Sequence, residues 1–298
     1  MGGLRRTLPL DGPYSLGESL LLADYGRSNP ILRRPSAQEL QRASHTPEGP
    51  VGFQLRVGQA QIEAEAHGPG ARWLLEELPR HLGLDDDGGP DFGGKLGELQ
   101  RRHRGLHRGV TLDLFEMCVS QVIRQRVAWR DAVQTQGAIH RALSKPAPGP
   151  WELKLPLDGA DWCSLTTAEL ARFGLERKRA KTLLGLAARA DSVRGFAPLP
   201  AREFAAKLES FTGVGSWTRA MVQGFGLAEH DVVPLGDYGL PSTVAWFLAG
   251  EARADDARML QLLAPYAGQR FRVIHLLWVG GIGAPRFGPR IRGAAPGQ

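Results

Sequence analysis

Val51, Phe53, Leu55 and Val57 alternate with small or polar residues. The chain then breaks at Gly58-Gln59, and Ile62, Ala64 and Ala66 alternate again before His67-Gly68-Pro69-Gly70. Period-2 alternation places apolar side chains on one face of an extended strand, so two such runs across a glycine-containing break predict a β-hairpin. Helical stretches are expected beside it, near 17–25 and over 71–82, the second carrying Trp73, Leu74, Leu75 and Leu78. Residues 85–94 read DDDGGPDFGG, an acidic, glycine-rich stretch that predicts a loop or linker. From Leu112 the period changes. Leu112, Phe115, Val119, Val122, Ile123 and Val127 recur at steps of three and four, giving one helical stripe. Further helices are expected at 178–190, through Phe204, Leu208 and Phe211, at 217–225, at 242–248 after Pro241, and at 256–264 and 271–279. The pattern predicts an α+β fold. A mixed α/β domain with an antiparallel sheet is expected over 1–105, an all-α body over 106–285, and a disordered Gly/Pro/Arg-rich tail over 286–298.

Composition narrows the function classes. A chain of 298 residues with 42% hydrophobic and 23% charged residues has an ordinary globular composition. Its formal charge of +6 suits a polyanionic partner, although many proteins are mildly basic without one. Cys118 and Cys163 are the only cysteines, and they sit in no CxxC or Cys/His cluster. Four thiolates are needed for a cysteine-ligated iron–sulfur cluster, so none is expected, and no zinc spacing occurs. Two scattered cysteines fit a reducing compartment. The start of the chain, Met1-Gly2-Gly3-Leu4-Arg5-Arg6, builds no apolar signal core, and no apolar run reaches the ~20 residues of a membrane span. A soluble, cytoplasmic, nucleoid-associated monomer is the expectation.

The chemistry concentrates in 208–240, LESFTGVGSWTRAMVQGFGLAEHDVVPLGDYGL. A helix ends near Phe211, Thr212-Gly213-Val214-Gly215 turns, and a new helix starts near Ser216. Glycines let the backbone turn tightly and approach another surface, and the second helix offers free N-terminal amides to a phosphate. A tight helix–helix corner would use the same glycines for geometry alone. Downstream, Asp237 lies 22 positions after Gly215, between Pro234 and Pro241. By itself such a carboxylate reads equally as a helix N-cap or turn former.

The spacing and its neighbours resemble the helix-hairpin-helix DNA glycosylase superfamily, in which a catalytic Asp follows the hairpin at such a distance. Phe211 to Thr218, with Trp217 after the hairpin, looks like the 3-methyladenine DNA glycosylase II (AlkA) branch. In the endonuclease III branch that position is the Schiff-base lysine, and Trp217 cannot form an imine, so a monofunctional hydrolase is implied. The likeness extends to Pro13-Tyr14 and the N-terminal sheet, to Phe115–Val127, to Lys178-Arg-Ala-Lys181, and to Phe271–Trp278. Two departures stand. The wedge that fills the gap left by an extruded base is usually apolar in that group, whereas Arg126 stands here, and Gly236 occupies a position often acidic there.

What the resemblance implies is a base-excision enzyme acting on double-stranded DNA with damaged bases, leaving an abasic site and requiring no cofactor. Asp237 would be the catalytic carboxylate. Trp217, Trp278 and Tyr238 would wall a base pocket, attracting cationic 3-methyladenine-type bases by cation–π contact. Thr212, Gly213, Val214, Gly215, Ser216, Thr218, Gln125 and Arg126 would contact DNA. The backbone carbonyls of Glu209, Phe211 and Val214 would hold a structural Na+ or K+. Bland readings stay open for several residues: Trp278 as core, Arg126 as a loop charge with a neighbour as wedge, His275 as a satisfied helix histidine, and Lys178 and Lys181 as surface cations. Deaminated or oxidised bases, lyase chemistry through a lysine such as Lys207, and a non-catalytic DNA-binding protein are the alternative functions.

Overall fold

The computed structural model describes residues 2–20 and 29–285. The chain runs β1 (Leu4–Pro9), α1 (Leu16–Ser19), β2 (Leu32–Ser36), β3 (Glu39–Thr46), β4 (Gly49–Val57), β5 (Gln61–His67), α2 (Ala71–Leu82) and α3 (Gly94–Arg102). It continues through α4 (Leu114–Ile123), α5 (Trp129–Leu143), α6 (Gly159–Cys163), α7 (Thr167–Ala171), α8 (Arg177–Ala187), α9 (Ala190–Arg194) and α10 (Ala201–Glu209). The last elements are α11 (Ser216–Gly226), α12 (Leu240–Ala249), α13 (Asp256–Leu263), a 3-10 turn (Ala264–Tyr266) and α14 (Arg270–Val279). The fold is α+β. Part of the expected 17–25 helix and the whole 286–298 tail lie outside the described residues.

The sheet is antiparallel in the order β1-β5-β4-β3-β2, a meander whose first strand closes the far edge. The expected hairpin is β4–β5, with Leu55 opposite Ala64 and Val57 opposite Ile62. Leu8, Phe53, Leu55, Ile62 and Ala66 bury against Leu74, Leu78 and Leu82 of α2. The other face of β4 is covered too. A Cβ on Gly52 would lie 2.0 Å from the Pro148 carbonyl oxygen, so only glycine lets the segment before α6 lie this close. β3 turns Arg42 and Ser44 inward to the Glu116 carboxylate of α4, at 3.1 and 3.3 Å. All ten residues of α4 are buried, because other helices surround it and the β3 side chains reach it through this ion pair.

Two further apolar clusters make up the helical part. One joins α4, α8, α9 and α10 through Phe115, Val122, Leu183, Leu186, Phe204 and Leu208. The other joins α3, α12, α13 and α14 through Leu99, Val244, Met259, Ile274 and Leu277. A polar knot ties the 83–110 segment to the last helix. Arg108 donates to His275 Nδ1 (3.1 Å), His230 Nδ1 (3.2 Å) and the Gly224 carbonyl (2.7 Å). Arg272 holds Asp86, both side chains being almost fully buried. Burial pushes the Asp86 carboxyl up, but the bond to Arg272 and its charge outweigh that and hold it low. Burial, then the charges of Arg108 and Arg272, keep His275 neutral far below the ordinary histidine range. Among the described residues no helix is long and apolar enough to cross a membrane.

Candidate active site

The hairpin is built by α10, the turn 210–215 and α11. Phe211 and Val214 are buried in the cluster that holds α4 and α8, so two apolar anchors fix the turn from beneath. The Val214 N–H closes the turn on the Phe211 carbonyl at 3.0 Å. Gly213 adopts φ +88°, a left-handed conformation that disfavours any side chain. It also abuts α8, where an added Cβ would lie 1.9 Å from Thr182 Oγ1. Gly215 is the N-cap of α11 in ordinary extended backbone, with no side-chain cap bond. A Cβ there would meet nothing within 4 Å. The first amides of α11 therefore keep the unsatisfied donors of a helix N-terminus.

Two side chains clamp the first turn of α11 from different directions. Gln125, in the α4–α5 loop, donates to the Gly213 carbonyl (3.0 Å) and to Thr218 Oγ1 (2.8 Å). Asp237 accepts the Trp217 indole N–H on Oδ2 at 2.8 Å. Its Oδ1 accepts the N–H groups of Gly239 and Leu240, both at 2.9 Å, a side-chain turn that ties down the start of α12, whose N-cap position is Gly239. The carboxylate thus performs the turn-forming role that local sequence suggests, and turns its second oxygen to the hairpin. Gly236 before it has φ +81° and donates its N–H to Asp256 at 2.8 Å.

The expected site residues divide. Thr212, Gly213, Gly215 and Ser216 are exposed along the turn, Trp217 and Asp237 are half-buried and bonded, and Gln125 links its loop to them. Arg126 is exposed with φ +55°, strained for a residue with a Cβ. Thr218 is corrected: it is buried and spends its hydroxyl on Gln125, so it faces the protein and not DNA. Only the backbone of Val214 could serve a ligand, since its side chain is buried. Tyr238 is the clearest correction. It is 99% exposed and walls no pocket, because the bonds to Gly239 and Leu240 turn residue 237 inward and the next side chain points out.

Trp278 is separate from Trp217. It stacks on Phe225 at 5.6 Å between ring centroids and meets Phe271 edge-on at 6.0 Å. Phe225 lies two turns along α11 from Trp217, about 12 Å at 1.5 Å per residue. Met221 falls midway, so Trp217, Met221 and Phe225 form one i, i+4, i+8 stripe leading from Asp237 toward Trp278. Met221 and Phe225 lie outside the site expected from sequence, although their spacing from Trp217 is the signal that marks them. His275 is the satisfied helix histidine on its Nδ1 side, facing Arg108. Lys178 and Lys181 are exposed on α8, which carries Thr182 against the hairpin, and Lys207 is exposed on α10.

Solved structures share this fold. A 3-methyladenine DNA glycosylase from Archaeoglobus fulgidus matches with a TM-score of 0.77 at 17% identity, over 92% of this chain and 97% of its own. The structure of MBOgg1 in complex with a low-affinity DNA ligand matches at 0.75 and 12% identity, over 94% and 96%. An 8-oxoguanine glycosylase/lyase from Clostridium acetobutylicum, in complex with double-stranded DNA containing cytosine opposite 8-oxoG, matches at 0.68 and 13%, over 94% and 98%. No family model matches the sequence, and no curated protein matches it. At these identities the likeness is one of fold.

Proposed function

We propose that this chain, folded as DNA glycosylases are, is a monofunctional DNA glycosylase. In this reading it extrudes an alkylated base of the 3-methyladenine type from double-stranded DNA and hydrolyses the glycosidic bond, leaving an abasic site. The observation that carries the reading is the Trp217–Asp237 bond, which sets a carboxylate beside an uncapped, glycine-flanked helix N-terminus. Holding the start of α12 uses only Oδ1, and the turning of Oδ2 to the hairpin is what favours a reacting carboxylate over a pure DNA-binding hairpin.

The uncapped amides of α11 receive a phosphate of the damaged strand, favoured by the positive end of the helix dipole. Breaking the N-glycosidic bond leaves positive charge on the sugar. A fixed carboxylate under that sugar stabilises the charge without reorganising, and the lone pair left on Oδ2 orients or deprotonates the attacking water. Three N–H donors hold the Asp237 side chain in one orientation for this task. An extruded purine then lies along the stripe of Trp217 and Met221, with Trp278 and Phe225 at its far end. Trp217 in the place of a lysine removes the amine that strand cleavage through an imine would need.

A monovalent cation fits the hairpin. Glu209 ends α10, where helix carbonyls lack intrahelical partners, and Phe211 has a second lone pair beyond its bond to Val214 N–H. With the Val214 carbonyl these would hold Na+ or K+, which would supply positive charge behind the phosphate-binding amides.

The likeness to an 8-oxoguanine glycosylase/lyase favours one second reading, an oxidised purine as the substrate. A single panel separates the readings: purified protein on methylated DNA and on duplexes carrying 8-oxoguanine or deaminated bases, with released base measured. Free 3-methyladenine or 7-methylguanine is expected, without borohydride-trapped protein–DNA adduct. Asp237→Asn is expected to abolish release and to keep DNA binding. Full turnover in that variant would overturn the assignment.

A further inference from the structure

Tyr238 is the most exposed large apolar side chain among the described residues. Trp129 follows at 55%, while Tyr238 stands at 99%. A single exposed aromatic needs no explanation as such. This one is unusual for the backbone that carries it. The N–H of Gly236 is held by Asp256, and those of Gly239 and Leu240 are held by Asp237, itself bonded to Trp217. Among the described residues no hydrogen bond, ion pair or ring contact involves the Tyr238 side chain. The ring is therefore projected into solvent from a rigid support, an arrangement that lowers the ordering cost of meeting a partner.

The glycines nearby point the same way. Gly236 needs its φ of +81°. Gly239 has an ordinary φ of −115°, as Gly215 has −105°. A Cβ at either would meet nothing within 4 Å. Neither conformation nor packing inside this chain asks for glycine there. Both positions leave open space beside the backbone that an approaching strand could enter.

Geometry places the ring. Trp217 and Thr218 are consecutive on α11, so their side chains leave the helix about 100° apart. Trp217 carries Asp237 and hence Tyr238, while Thr218 carries Gln125 and hence Arg126. Two exposed residues, Arg126 and Tyr238, thus each adjoin a residue bonded to the first turn of α11.

We propose that Tyr238 is a DNA-engaging residue whose ring stacks on a base left unstacked when the target nucleotide is extruded. This rests on the glycosylase reading. The ring contributes to binding and extrusion, and Asp237 alone serves bond cleavage. Sequence offered Tyr238 as a wall around the damaged base; its exposure moves it from the pocket to the duplex.

The test uses the full chain as wild type, Tyr238→Ala and Tyr238→Phe, and two probes. One is a duplex with a tetrahydrofuran abasic-site analogue beside 2-aminopurine, whose fluorescence reports stacking; the other is methylated duplex DNA. Tyr238→Ala is expected to weaken binding to the first probe about tenfold, the scale of one base–aromatic stack, and to lose the fluorescence response. It should leave the melting temperature unchanged, and Tyr238→Phe should restore affinity. Wild-type affinity in Tyr238→Ala overturns the proposal. Failure of Tyr238→Phe to restore binding overturns it equally. Wild-type protein that releases no base from the methylated duplex would instead sink the glycosylase reading, leaving the binding result legible by itself.

Discussion

Asp237 divides its carboxylate between a helix and a hairpin, and substitutions can separate the two duties. Asparagine has one acceptor oxygen in place of two, so it can hold the start of α12 or accept from Trp217, but not both. Asp237→Asn should cost about 1 kcal/mol of stability, one net hydrogen bond, and lower excision at least about a hundredfold. Asp237→Ala gives up the turn at the start of α12 as well, worth typically about 1 kcal/mol more. Thermal melts beside base-release assays check both. Equal excision in wild type and Asp237→Asn, with the expected loss of stability, would leave Asp237 a turn former and nothing else. The sequence showed the residue and its spacing. The direction of each oxygen follows only from where α11 and α12 meet.

The hairpin glycines behave as two kinds of element. Gly213 serves the fold, being left-handed and pressed against Thr182 of α8. Gly213→Ala combines a strained backbone with a clash, and should destabilise by roughly 1–3 kcal/mol in urea unfolding. Gly215 is open and ordinary in conformation. Gly215→Ala should leave stability within about 0.5 kcal/mol and still weaken DNA binding, because its methyl stands where a strand approaches. A Gly215→Ala protein with undiminished DNA affinity would remove the hairpin from the interface. Among elements, the 71–82 helix and the β4–β5 hairpin were legible, because their apolar residues recur at the helical and the period-2 spacing. β3 was not. Its inward Arg42 and Ser44 look like surface residues until Glu116 is seen opposite them.

For the whole molecule, Arg42–Glu116 is the charged link between the sheet and α4, with both side chains almost fully buried. Burial pushes Glu116 up, and Arg42 partly opposes it. Arg42→Met removes the counter-charge of a buried carboxyl and should cost about 3–5 kcal/mol, whereas the double variant Arg42→Met/Glu116→Leu should recover much of that. Denaturant titration of the three proteins measures the coupling, and a simple sum of the single effects would contradict it. Acid should loosen the molecule through its buried histidines. Burial lowers His81 to about 3 and His140 to about 4, and holds His275 well below 6.5. The folded chain keeps all three neutral while unfolded histidines take up protons below about 6.5. Their stabilisation is complete above that pH and declines as pH falls, at about 1.4 kcal/mol per proton per pH unit. Glu116, raised by burial, runs the opposite way in the carboxylate range. Melting temperature should drop between pH 7 and pH 5, and a flat profile there would refute burial of these rings.

The sequence by itself determined the α+β class, most helices and the hairpin, because periodicity and glycine placement are local properties of the chain, while a family resemblance singled out Asp237. It left open whether Asp237 was a turn former, whether Tyr238 faced a base pocket, whether Trp278 stood near Trp217, and whether Gly213 or Gly215 served the fold. Only tertiary structure decided these, since each depends on which side of α11 a distant segment occupies. The Arg108–His275–Arg272–Asp86 knot was likewise unreadable: lone charged residues far apart in sequence carry no pattern until the fold buries them together.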